Sequence, residues 1–240
     1  MNSLESTVRS LIFPNSEVIY MPDLRRSTLL FSQGQPADSL YFLESGLVKL
    51  TRANNQGGRI ILGLRGAGEI VGEEALSSAD SITSSEAEVI SPACAYRIPK
   101  ITLHSTIHQS PELASCFLTF LLESRGALAE KVELLCLHDV EFRVLHTLQK
   151  LAAVVPPMPD GSGAYQIPIT QLELADLIGA TRETTSTVLN QLERRGLLQL
   201  SRRMLTVKSR ESLDSALKSV HEIPPNRSRP VRAESTSAGM

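Results

Sequence analysis

The sequence predicts an α+β protein in three parts. An N-terminal double-stranded β-helix (a jelly-roll barrel) occupies residues 1–110, one long helix spans 111–137, and a C-terminal domain of short helices and a β-hairpin fills 138–212. Three observations carry this reading. Short β-prone runs divided by Gly, Pro and Asn fill residues 15–100, as in barrels made of many short strands. From Pro111 the apolar period becomes helical, with no turn cluster until about Leu137. Then capped helices and a hairpin follow one another closely.

The chain's 240 residues suffice for one large domain or two modest ones. Hydrophobic residues make up 42%, aromatics only 4%, and Trp is absent, so the core is aliphatic. The net charge of −2 hides an asymmetry: 11 of the 24 Lys+Arg and 8 of the 26 Asp+Glu lie from Gln171 onward, leaving 13 against 18 before it. A basic C-terminal third on a near-neutral chain suits a local anion-binding surface. No long apolar run and no leader pattern is seen, so a soluble, cytoplasmic protein without membrane contact is expected. Cys94, Cys116 and Cys136 match no zinc spacing and read as reduced thiols, small buried hydrophobes rather than redox sensors.

Within the barrel, Leu40–Leu43 and Leu47–Leu50 read as two strands divided by Gly46. Asn54–Gly58 reads as a hairpin loop, with Arg59–Leu62 returning. In the long helix, Ala114, Leu118, Leu121, Arg125, Leu128, Val132 and Leu135 alternate at spacings of four and three. A seam that narrow normally faces another helix, which predicts a homodimer. Arg125 is its one charged member; it is expected to pair with Glu123, Glu130 or an acidic effector, or to reach solvent.

Leu137-His138-Asp139 breaks the seam, and Asp139 can cap a helix over 140–152 whose inner face is Val140, Val144, Leu148 and Leu151. Thr170-Gln171-Leu172-Glu173 is a capping box for a helix over 171–178. Gly179-Ala180 makes a turn, Thr181 caps a helix over 182–194, and Gly196 ends it. Thr185, Val188, Leu189 and Leu192 share one face of that last helix. Arg182, Glu183, Ser186, Thr187 and Asn190 are left facing outward. This is the layout of a helix-turn-helix, whose second helix enters the major groove. An Arg fork can bond guanine and a carboxylate can accept from cytosine. Leu197–Leu200 and Leu205–Val207 bracket Arg202 and Arg203 as a wing suited to phosphate contact. The candidate contacts to double-stranded DNA are therefore Thr181, Arg182, Glu183, Thr185, Ser186, Thr187, Asn190, Arg202 and Arg203. The bland reading is a helical packing unit with a solvated polar face. Residues 213–240 read as a helix remnant and, from Pro224, a disordered tail.

The pieces "FSQGQPADSLYFLESGLVKL", "GAGEIVGEEAL", "LCLHDVEFRVLHTLQKLA" and "ITQLELADLIGATRETTSTVLNQLERRGLL" together resemble the CRP/FNR family of bacterial transcription regulators over about residues 15–212. The resemblance implies a cyclic-nucleotide-binding-like barrel, a dimerisation helix, a winged helix-turn-helix, and RNA polymerase as protein partner. It also implies two recognition helices about one DNA turn (~34 Å) apart on a near-palindromic operator, with their spacing set at the hinge Leu137-His138-Asp139. Arg182 and Glu183 match base-reading residues of the cyclic-AMP branch, and Ser186 one of the oxygen-sensing branch. Thr187 stands where both usually carry Arg.

The ligand site matches less well. Gly72-Glu73 sits where the family binds ribose and phosphate, but Ser84-Ser85 replaces the expected Arg-Ser, and no Lys or Arg occurs between Arg65 and Arg97. The adenine-recognising Thr-Ser pair becomes Leu128-Ala129. Gly72, Glu73, Ser84, Ser85, Arg125, Leu128 and Ala129 are thus the effector-pocket candidates, and cyclic AMP is not the expected ligand. Neither iron–sulfur nor haem is expected, because the first Cys is Cys94 and the first His is His104. His104 and His108 read as solvated rather than metal-binding.

The sequence leaves three hypotheses: a homodimeric regulator whose barrel senses an unidentified small molecule, a regulator with a vestigial pocket, and a jelly-roll metalloenzyme. The last needs His among the strands, and residues 15–100 have none.

Overall fold

The computed structural model describes residues 3–77 and 79–221. Its elements, in chain order, begin with α1 (Ser3–Leu11), β1 (Ile19–Leu24), β2 (Leu29–Phe31), β3 (Ser39–Ala53), β4 (Arg59–Arg65) and β5 (Ile70–Val71). Then come β6 (Glu86–Pro99), α2 (Lys100–Gln109), α3 (Pro111–Leu137), α4 (Val140–Val154), β7 (Tyr165–Ile167) and α5 (Gln171–Ile178). The last are α6 (Arg182–Arg194), β8 (Leu198–Ser201), β9 (Met204–Val207) and α7 (Arg210–His221). The expected disordered tail lies outside the described residues.

The sensor sheet is antiparallel, with path β1-β6-β3-β4; β2 pairs with β6 and β5 with β3. β3 and β6 pair along most of their length. Each also takes different partners at its two ends, which wraps the sheet on itself. The two strands predicted around Gly46 are one 15-residue strand. Its register shifts between Leu43 and Val48, and Gly46 sits at φ +87°. A Cβ there would lie 2.4 Å from the Ala93 side chain. Gly46 therefore marks a bulge, not a strand end.

The bulge inverts the strand's faces, as one extra residue must when side chains alternate. Before it, Tyr41 and Leu43 join the barrel interior; after it, Val48 and Leu50 do. Leu40 and Phe42 instead pack in a second cluster with Leu4, Val8 and Ile12 near α1 and with Leu113, Phe117 and Phe120 of α3. Neither α1 nor α2 is among the elements that the sequence predicts.

α3 covers the predicted span, and Ser110 Oγ accepts from the Leu113 N–H. It carries two apolar stripes. One is buried against the sensor. The other, the predicted seam, is exposed in the protomer: Leu118 59%, Leu121 39%, Leu128 51% and Val132 60%. Leu122, at 57%, adjoins it. Leu135 departs from the seam, since it is half-buried and its side chain lies against Gly179. Arg125 is exposed, and Glu130 is bonded to Lys150 and His146 instead.

The C-terminal domain has its own aliphatic core, in which Val144, Leu145, Leu148, Leu174, Leu189 and Leu192 are buried. Ile61 of β4 belongs to that core. The wing sheet has three strands in the order β7-β9-β8, one more than the sequence predicts. α7 runs across the predicted boundary at 212 and buries Leu213 and Ala216 in the same core, so it is an integral part of the domain. Cys136 is exposed, against expectation, whereas Cys94 and Cys116 are half-buried.

Candidate nucleic-acid interface and sensor pocket

The helix pair is fixed by local chemistry. Thr170 Oγ1 accepts from the Glu173 N–H at 3.1 Å, and the Glu173 carboxylate accepts from the Thr170 N–H at 2.9 Å, which satisfies two of the free donors at the start of α5. Gly179 ends α5 in the left-handed region at φ +63°. Thr181 caps α6 by accepting from the Thr184 N–H at 3.2 Å. Buried Thr185, Leu189 and Leu192 hold α6 against the core.

The remaining face of α6 is polar. Thr181, Arg182, Glu183, Thr187 and Asn190 are exposed and Ser186 is half-buried. The Thr187 hydroxyl donates to the Glu183 carbonyl at 3.0 Å, which leaves its oxygen lone pairs outward as acceptors. Arg202 and Arg203 are exposed in the two-residue turn between β8 and β9. Thr185 must be removed from the candidate contacts: it is fully buried, and its hydroxyl donates to the Thr181 carbonyl one turn back at 2.9 Å. That bond satisfies the one group that would have drawn it to the surface. Thr184 was passed over, although it is exposed on the same leading edge. Its signal was its place in the polar cluster that opens α6.

The predicted effector residues are not gathered into one site. Gly72 adopts φ +85°, and a Cβ would approach the Ser39 carbonyl oxygen at 2.9 Å. Glu73 opens a short 3-10 turn over Glu73–Leu76; burial raises its carboxyl above the usual range. Ser84 donates from its N–H (2.8 Å) and its hydroxyl (2.5 Å) to Glu74 Oε1, while Ser85 is buried. A nucleotide phosphate placed at Ser84 would meet the Glu74 carboxylate and no cation from residues 66–96. On α3, Arg125 and Ala129 are exposed, and Leu128 lines a different cavity, between α3, β4 and α4. The His104 ring lies against the Ala75 carbonyl, with Nε2 at 2.9 Å.

Residues 22–110 match the cyclic nucleotide-binding domain family, and residues 142–216 match the Crp-like helix-turn-helix domain. The chain is 30% identical over 185 residues to the cAMP-activated global transcriptional regulator CRP of Haemophilus influenzae, covering 76% of this chain and 80% of that protein. It is 29% identical over 191 residues to the CRP-like cAMP-activated global transcriptional regulator of Mycobacterium tuberculosis, covering 80% and 85%. Among solved structures, FixK2 from Bradyrhizobium japonicum superposes with a TM-score of 0.71 at 20% identity, over 82% of this chain and 96% of that one. The c-di-GMP responsive regulator CLP of Xanthomonas campestris gives 0.69 at 24%, over 85% and 99%.

A capped helix-turn-helix with a wing, set behind an antiparallel sensor barrel, defines a DNA-binding transcription regulator. The chain belongs to the CRP/FNR family of these regulators. Among the described residues no helix is long and apolar enough to cross a membrane.

Proposed function

We propose that the chain acts in the cytoplasm as a homodimer on a near-palindromic operator, with RNA polymerase as its protein partner. Arg182, Glu183, Ser186, Thr187 and Asn190 read base edges in the major groove, while Arg202 and Arg203 hold phosphate. The observation that carries this reading is the outward polar leading edge of α6, held by a cap at Thr181 and a buried apolar face. The exposed seam on α3 supports the dimer, which would set the two helices about one DNA turn apart. The sensor does not use cyclic AMP: Glu74 already occupies the donors of Ser84, and residues 66–96 supply no Lys or Arg for a phosphate.

Selection from a pool of double-stranded oligonucleotides, followed by footprinting, tests this. A site with dyad symmetry is expected. No preference among sequences at low ionic strength, or a selected site without symmetry, would overturn it. Calorimetry with cyclic AMP should give no heat. The Glu74–Ser84 contact also favours a second reading, in which the barrel pocket binds nothing and the regulator is active whenever present. A thermal-shift screen of cyclic nucleotides and small acids separates the two.

A further inference from the structure

A cavity of about 260 Å³ lies at the junction of the sensor, the long helix and the DNA-binding domain. Its walls come from Leu62–Arg65 of β4, from Ser124–Leu135 of α3, and from α4 and the end of α5. It is distinct from the barrel site around Gly72 and Ser84. Most of the wall is aliphatic, with Leu62, Leu128, Leu135 and Val154 among its members. The volume falls just under the roughly 300–1,000 Å³ of sites for drug-sized ligands, so the occupant is a smaller molecule.

The polar part of the wall has a definite sign. Four cations, Arg65, Lys131, Arg143 and Lys150, line it with two carboxylates, Glu69 and Glu130. Glu130 is committed to Lys150 and to His146 Nε2. Glu69 accepts from the Gly66 N–H at 2.7 Å and stands 3.8 Å from Arg65 Nε. The Arg65 Nε–H is buried with no hydrogen-bond partner among the described residues, as is His146 Nδ1. Among the described residues, Lys131 Nζ donates only to the carbonyls of Ile61 and Leu62. Arg143 Nη1 donates to the carbonyls of Ile178 and Gly179. Lys131 and Arg143 thus carry charge into this space with no carboxylate facing them among the described residues. Desolvation lowers the Lys131 ammonium to about 8, as burial without a counter-ion requires.

We propose that this cavity binds a small monocarboxylate with an aliphatic body, its carboxylate meeting Lys131 and Arg65 and its chain lying along the leucine wall. Because the walls belong to both domains, the occupant fixes one arrangement of α4 and α5 against β4. It is therefore an effector of DNA binding, a consequence that rests on the reading of α6 given above. The binding itself does not depend on that reading.

The test uses the full chain and sodium decanoate, with 1-decanol and decyltrimethylammonium as controls, followed by calorimetry and thermal shift. Decanoate should bind and raise the melting temperature. The alcohol and the cation should bind at least tenfold more weakly. Lys131→Met, which keeps the aliphatic stem, and Ala127→Phe, which fills the space from an exposed position on α3, should each weaken decanoate at least tenfold. Wild-type affinity should also fall as pH rises from 7 to 9. If Lys131→Met does not fold, Ala127→Phe and the pH series carry the result. No decanoate binding, equal binding of decanol, or unchanged binding in Ala127→Phe each overturns the proposal. If decanoate binds as expected but leaves operator affinity unchanged, the site stands and its regulatory role falls. If no operator is found at all, the reading of α6 fails instead.

Discussion

Lys49 Nζ on strand β3 lies 3.1 Å from Glu173 Oε1 on helix α5. The same carboxylate accepts from Arg26 Nη2 at 3.1 Å and from both Thr170 donors. One side chain therefore closes the cap of the helix-turn-helix and fastens that domain to the sensor. Burial works to raise the Glu173 carboxyl, but the bonds from Thr170 and Lys49 outweigh it and hold it below the usual range. A lowered carboxylate contributes stability above its unfolded value, about 4.3, and loses it as pH falls through the folded value. Glu173→Gln should destabilise the protein by about 2 kcal/mol at pH 7, with Lys49 keeping Glu88 as a partner. Urea unfolding at pH 7 and pH 3 checks this: the gap between variant and wild type should shrink at the lower pH.

Thr185 and Arg182 lie three residues apart and should behave oppositely. Thr185→Val keeps the branched shape and removes one satisfied hydroxyl, so stability should drop by no more than about 1 kcal/mol and operator affinity should hold. Arg182→Ala should leave the melting temperature unchanged and cost about 1–3 kcal/mol of discrimination at one base pair. Fluorescence anisotropy on single-substitution operators reads both.

Arg202 and Arg203 at the wing tip hold no sequence information in this scheme. Replacing either by Ala should weaken binding about equally on all sequences and lower the slope of log K against log salt by about 1. A change confined to one operator position would instead place that Arg at a base edge.

Leu118 and Val132 are 59% and 60% exposed in the protomer, so a charge at either costs the fold of one chain little. Leu118→Glu with Val132→Glu should give a folded monomer by sedimentation, with circular dichroism unchanged and affinity for a two-half-site operator lost. A wild-type chain that sediments as a monomer at micromolar concentration would contradict the dimer.

Gly46 is needed for the inversion of β3. Ala there meets a left-handed backbone, costing about 1–2 kcal/mol, and a Cβ only 2.5 Å from the Pro92 carbonyl oxygen. Gly46→Ala should lower the melting temperature more than any of the surface substitutions above.

The ends of α4, α5 and α6 were legible because local chemistry sets them: Asp139, Thr170 and Thr181 accept backbone N–H groups within three residues, and Gly179 turns the chain. Gly46 was misread because a strand end and a bulge share one signal in sequence; only the partner strand tells them apart. α1 was missed because its buried apolar residues, Leu4 and Val8, continued by Ile12 just beyond it, make only a single short stripe. Thr185 was placed at the interface by its residue type, although its own spacing with Leu189 and Leu192 pointed inward. The junction cavity was illegible, since it needs Leu62, Lys131 and Leu151 brought together from three distant segments.

Ile61, only 2% exposed, sits on a sensor strand yet completes the core of the opposite domain. The DNA-reading half is therefore not a portable cassette. Excised after Leu137 it would carry an aliphatic hole where Ile61 had been, and grafted behind a foreign sensor it would inherit whatever side chain the strand in the place of β4 happens to offer. Heating the intact chain should accordingly melt both halves in one concerted step.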